Sequence, residues 1–169
     1  MSGGIEMQVD DEPRGAVFAD ERTHRLYLWR RWDKEKPWIM FIGLNPSTAD
    51  ESHDDPTVRR CVGFAKRWDF GGIFMCNVFT LVSTDPKKLN ADTPIAVGAN
   101  LAMRVIRERC GKAVAGWGNL ITQVRVGEDR VERIKREMFP LHCLGTTKQG
   151  YPRHPLYLPS DSELVEYQQ

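Results

Sequence analysis

The chain has 169 residues, 41% of them hydrophobic and 28% charged, with a formal net charge of +1. That is the size and make-up of one globular domain with its own core. It gives no global basic signal for nucleic acid, although a local basic stripe stays open, and no apolar run approaches the roughly 20 residues of a membrane span.

The chain opens on MSGGIEMQVDDEPRG. It is polar and acidic and lacks the charged-then-apolar layout of a secretory signal. Residues 1–14 are expected to form a flexible acidic tail, residues 15–169 a single α/β domain, and the protein to be cytoplasmic. GAVFAD and RLYLWRRW then read as two β-runs around a polar ERTH turn, an antiparallel hairpin leading into the main fold.

A different rhythm follows. PWIMFIGL is continuously apolar, as in a strand covered on both faces. Asp55-Pro56 reads as a helix cap with proline in the first position, and Val58, Cys61, Val62, Ala65 and Trp68 recur at helical spacing. IFMCNVF is a second buried strand after Gly71-Gly72. A helix is expected over 94–110, with Val97, Leu101 and Val105 as its stripe. KAVAGWG makes a third strand, Glu128 to Met138 a charged amphipathic helix, and LHCLG a fourth strand. Strand and helix alternate with connections long enough to be crossovers. The expected architecture is three-layer αβα with a mainly parallel four-stranded central sheet and an N-terminal hairpin. In such sheets ligands bind at the carboxyl ends of the strands.

Four loops meet at that rim, LNPSTAD, CNVFTLVSTDP, GWGNL and GTTKQGYPRHP. They carry Asn45 and Ser47, then Asn77 and Thr80, then Trp117 and Asn119, then Thr146, Thr147, Lys148, Arg153 and His154. Asn77 is flanked by Met75, Cys76, Val78 and Phe79. It is therefore expected to be buried, where an amide needs either a structural partner or a ligand edge. Prolines bracket His154 and stiffen its loop.

Other chemistries find no support. The four histidines are scattered without metal-ligand spacing, and the four cysteines read as reduced thiols in or near the core. The acidic loop 50–55 reads as a solvated loop with Asp55 as the helix cap. There is no GxSxG elbow, Walker loop or GxGxxG. No metal and no cofactor are expected.

GLNPS after the first strand resembles the first motif of the uracil-DNA glycosylase superfamily, whose mismatch-specific branch carries a Gly-Ile/Leu-Asn-Pro turn. CNVF resembles the strand-two asparagine of that superfamily, VAGWGNL its third-strand segment, and RHPLYL its His-Pro-Ser loop. Serine follows Pro46 and leucine follows Pro155 where the superfamily has glycine and serine. More closely, LYLWRRW, GLNPSTAD, DDPTVRRC and PRHPLYLP are similar to a bacterial and phage family known as a domain of unknown function. The glycosylase resemblance implies a hydrolase that cuts the N-glycosidic bond of a uracil, mismatched or modified base in DNA. Asn45 would position the attacking water, and His154 would stabilise charge on the leaving base. Asn77 would read the base edge, and Phe41 would stack on it. Gly43, Ser47, Trp117 and Asn119 would complete the substrate site. Arg59, Arg60, Lys148 and Arg153 would hold phosphates. The implied partner is DNA, single- or double-stranded, bound by a monomer with no membrane contact. A non-catalytic nucleic-acid or nucleotide binding module, and a nucleoside-type small-molecule enzyme, stay open as alternatives.

Overall fold

The continuous apolar runs form the middle of the sheet. The computed structural model describes residues 8–90 and 95–167. In chain order they hold β1 (Arg14–Ala19), β2 (His24–Arg31), β3 (Trp38–Gly43), α1 (Pro56–Arg67), β4 (Gly72–Asn77), α2 (Ala99–Arg109), β5 (Cys110–Ala115), α3 (Gly127–Met138), β6 (Leu141–Cys143) and β7 (Val165–Glu166). One seven-stranded sheet runs in the order β1-β2-β4-β3-β5-β6-β7. Strands β4, β3, β5 and β6 pair parallel, while β1, β2 and β7 join antiparallel.

The sheet is thus mixed and larger than the expected four strands. The hairpin is part of it, because β2 pairs with β4 from Leu28↔Met75 to Arg31↔Gly72. β7 had no counterpart in the sequence reading.

Side chains alternate across the sheet and build two cores. On one face Ile39, Phe41, Ile73, Met75 and Val114 pack against Val58, Cys61, Phe64 and Ala65 of α1. On the other, Met40, Ile42, Phe74, Cys76 and Ala113 pack against α2 and α3. All four cysteines are buried free thiols, and burial pushes the thiols of Cys61 and Cys76 far up from the ordinary value.

Local signals explain the helices. Asp55 caps α1 by accepting from the Val58 N–H at 2.8 Å, with Pro56 in the first position. α2 is shorter than expected. Gly98 precedes it in the left-handed conformation at φ 85°, and Cys110 already belongs to β5. Pro94, where this helix was expected to begin, lies outside the described residues. The stripe also has another phase: Ala99, Ala102, Met103 and Ile106 are buried, whereas Val97 is 97% and Leu101 44% exposed.

Of the acidic tail, residues 1–7 lie outside the described residues. The segment before β1 is exposed from Asp10 to Pro13 but tied to the domain at three points. Val9 is buried in the α2/α3 core, the Glu12 carbonyl accepts from Trp29 Nε1 at 3.0 Å, and the Pro13 carbonyl accepts from the Arg31 N–H.

The topology places the site. The loop leaving β3 turns toward α1 on one face, while those leaving its neighbours β4 and β5 turn toward α2 and α3 on the other. A crevice opens at the carboxyl end of β3, at such a switch point.

Candidate active site

A pocket of about 230 Å³ fills that crevice. Gly43, Leu44, Asn45, Pro46 and Ser47 line it from the end of β3, and Met75 and Asn77 from β4. The backbone ladder continues past the strands. Val78 N–H donates to the Gly43 carbonyl (2.8 Å), Phe79 to Leu44 (2.9 Å), and Ser83 to Pro46 (2.9 Å). The first two loops are thereby held rigid.

Asn45 is fixed from one side. Its Nδ2 donates to the carbonyls of Ser83 (2.8 Å) and Pro46 (3.0 Å). A flipped amide would set oxygen against these oxygens, so the orientation is determined. Oδ1 has no hydrogen-bond partner among the described residues, and it is the atom left to accept from a water or ligand.

Asn77 is only 6% exposed. Its Oδ1 accepts from Arg25 Nη2 at 3.2 Å, and Nη1 of the same guanidinium donates to the Ala49 carbonyl at 3.0 Å. Asn77 Nδ2 has no partner among the described residues and is not sealed from solvent. Asn45 therefore presents an acceptor and Asn77 a donor. Gly43 pairs with Asn77 in register, and a Cβ there would come 2.9 Å from Asn77 Nδ2. Gly43→Ala is expected to destabilise by about 1–2 kcal/mol. Denaturant titration of Gly43→Ala, Asn77→Ala and the double variant checks this. About 1 kcal/mol of the penalty should vanish once the amide is gone, and a strictly additive cycle would show that the two do not touch.

Arg25 brings a cation to the wall. It is 3% exposed, and its Nε is buried without a partner among the described residues. No carboxylate lies within ion-pair distance of it among the described residues. Burial pulls its pKa down to about 10, with Asp55 acting the other way, so it stays cationic at neutral pH.

The other wall rests on two glycines. Gly116 N–H donates to the Ile42 carbonyl (2.9 Å) and Gly118 N–H to that of Pro152 (3.0 Å). A Cβ on Gly116 would stand 3.1 Å from Pro155. The missing side chain lets the 152–155 loop settle on the end of β5 and brings His154 and Trp117 into the pocket lining. Trp117 is 1% exposed, and its Nε1 is buried without a partner among the described residues. His154 Nδ1 accepts from the Leu156 N–H at 3.2 Å. Burial lowers the imidazole pKa, with Asp55 opposing. The ring is neutral at pH 7, and Nε2 carries its proton.

The chain belongs to the DUF1643 family, described as proteins of unknown function. The family model matches residues 25–156. No curated protein and no solved structure matches the chain. None of these comparisons connects it with uracil-DNA glycosylases.

The DUF1643 segment opens at Arg25 and closes just past His154, so every lining residue lies within it. Of the residues expected at the site, Gly43, Asn45, Ser47, Asn77, Trp117 and His154 come together. Phe41 does not line this pocket. It is 1% exposed, stacks on Trp68 at 6.3 Å in the α1 core, and borders a smaller cavity that shares Gly43, Thr57, Met75 and His154 with the pocket. Asn119 is exposed outside the pocket. Arg59, Arg60, Lys148 and Arg153 also lie outside the lining. Arg153 Nε donates to the Thr146 carbonyl at 3.0 Å.

Sequence reasoning missed Arg25, Thr57, Ser83, Thr84 and Leu120 as lining residues, and Asp55 beyond its cap role. The acidic loop is held by arginines: Arg22 binds Glu51 at 2.7 and 2.9 Å, and Arg30 binds Asp54 at 2.7 Å. Backbone N–H groups of Ser52 and His53 hold the Asp50 carboxyl down to about 2. No cluster of three or more potential metal ligands occurs among the described residues. No helix among them is long and apolar enough to cross a membrane.

Proposed function

We propose that this pocket removes a base from DNA by hydrolysing its N-glycosidic bond. The observation that carries the reading is the pair of neutral donors in one pocket: Asn77 Nδ2, oriented by Arg25, and the Nε2–H of a neutral His154. Two such donors suit the carbonyl edge of a base on which negative charge grows as the bond breaks. The volume of about 230 Å³ exceeds the roughly 150 Å³ that accommodates a benzene ring, so a six-membered base fits.

The steps balance without a nucleophilic side chain. The glycosidic C–N pair passes to the base, whose carbonyl oxygen takes the hydrogen bonds of His154 and Asn77. A water held by Asn45 Oδ1 adds its oxygen to the sugar carbon, and the proton it loses neutralises the departing base. Buried Arg25 adds a positive field to the wall. The resemblance of GLNPS, CNVF and RHPLYL to glycosylase motifs, with parallel strands β4-β3-β5-β6 leading into the site, supports this assignment. Flipping the base from a duplex costs a few kcal/mol, less at a mismatch or in a single strand.

The test is incubation with oligonucleotides carrying uracil, thymine mismatches, hypoxanthine or modified pyrimidines, followed by alkali to reveal abasic sites. Asn45→Ala is expected to lower kcat about 10–100-fold with oligonucleotide affinity little changed. Tight salt-sensitive binding with no abasic product from any oligonucleotide would replace the glycosidase with a binding module.

A further inference from the structure

A second groove, of about 270 Å³, is lined by Arg59, Arg60, Gly63 and Arg67 of α1 and by Ser160 and Asp161 of the C-terminal segment. Arg59, Gly63 and Arg67 recur every four residues, so they form one stripe along the helix. Arg59 Nη1 donates to the Asp54 carbonyl at 2.6 Å. Arg60 donates to the Leu158 carbonyl, lies over the Phe64 ring, and keeps a buried Nε without a partner among the described residues. Carbonyl acceptors hold these two guanidinium groups in place, and neither has a carboxylate within ion-pair distance among the described residues. Arg67 is paired with Glu163 at 2.5 Å, and Asp161 is the opposing carboxylate on the rim.

Gly63 has no packing reason to be glycine. A Cβ built on it meets nothing within 4 Å, yet glycine inside a helix is less stable than alanine. Its effect is to leave open space between the arginines. One segment of chain links the groove to the pocket. His154 lines the pocket, and four residues on, the Leu158 carbonyl holds Arg60. Between them Tyr157 is 86% exposed, with its ring 6.3 Å from that of His154.

We infer that this groove is a phosphate track for a nucleic-acid strand, holding the sugar-phosphate backbone beside the nucleotide whose base enters the pocket. The inference rests on the base-directed reading of the pocket. Arg59 and Arg60 grip phosphates, Gly63 lets the backbone lie against the helix, and Tyr157 offers a face for a neighbouring base.

The test is fluorescence anisotropy with a labelled single-stranded oligonucleotide of unmodified bases, across a salt series. Gly63→Leu and Arg59→Gln are each expected to weaken binding about 5–10-fold. Arg59→Gln should also reduce the salt slope by about 0.7, one phosphate contact on a single strand. Gly63→Ala should melt about 2–4 °C higher, showing that the helix tolerates a side chain there, and should bind more weakly than the parent but more tightly than Gly63→Leu. Unchanged affinity in a folded Gly63→Leu protein overturns the track, as does failure of the parent to bind any oligonucleotide. Loss of binding in Gly63→Leu with no base released from any oligonucleotide by the parent sustains the track and removes the glycosidase reading.

Discussion

Arg30→Met is expected to destabilise the fold by about 3–5 kcal/mol, the cost of stripping one partner from a buried ion pair. The Arg30 side chain is 5% exposed. Nε donates to Asp54 Oδ1 at 2.7 Å, Nη1 to the carbonyls of Trp29 (2.8 Å) and Gly15 (3.3 Å), and Nη2 to those of Asp50 (2.6 Å) and His53 (3.3 Å). All five guanidinium donors are used. Methionine fills similar volume and satisfies none of these acceptors, and among the described residues the Asp54 carboxylate, 24% exposed, keeps only a 3.9 Å contact with Arg14. The loop 50–54 runs straight into the Asp55 cap of α1, so its release loosens the wall that Asp55 and Thr57 give the pocket. A loss of this size is a large part of the roughly 5–15 kcal/mol that holds an ordinary domain together. Urea titration checks it: the midpoint should fall while the slope is unchanged. A loss under about 1 kcal/mol would show that water replaces the guanidinium and that the loop stands without it.

Arg30 also shows where sequence reading ends. The strand RLYLWRRW was legible as a strand from its alternation, but not as an interior one. With β1 on one side and β4 on the other, His24, Arg25 and Arg30 are buried although their residue types suggest surface. Their partners lie far along the chain, Thr80 for His24 and Asn77 for Arg25. No local pattern announces a pairing across more than fifty residues. Signals that act locally were readable: the apolar run of β3, the Asp55-Pro56 start of α1, and the Asn-Pro turn after Gly43-Leu44. The phase of α2 was not, because small Ala99 and Ala102 face the sheet where a hydrophobicity count favours Val97 and Leu101. Asn77 was expected to be buried and is. What decides its chemistry, the guanidinium that holds its oxygen, came only with the tertiary structure. Phe41 shows the reverse case, an aromatic near the site in sequence whose strand parity turns it into the α1 core.

Loss of the His154 ring is expected to have the largest effect on turnover. Under the glycosidase reading His154→Ala should lower kcat about 100–1000-fold, the usual cost of removing one donor aimed at developing charge, with a much smaller change in KM. His154→Gln should recover part of this loss, because an amide N–H is also a neutral donor. If glutamine is as inactive as alanine, the imidazole must instead move a proton. The pH profile separates the same two roles. Burial depresses the His154 pKa below its ordinary 6.5, so the neutral ring persists as pH falls through that value. Protonation of Nδ1 would set N–H against the Leu156 N–H that it now accepts. The acid limb of kcat is therefore expected below pH 6.5, and a limb above it would contradict a neutral donor. Stability has the same sign. The unfolded chain takes up the proton near 6.5 and the folded chain only at lower pH, so stability falls as pH drops through that interval. His142, lowered by burial and then by Lys112, adds to the decline. In His154→Gln the decline should become shallower, leaving the His142 share. An unchanged slope would mean that His154 titrates as freely in the folded protein as in the unfolded chain.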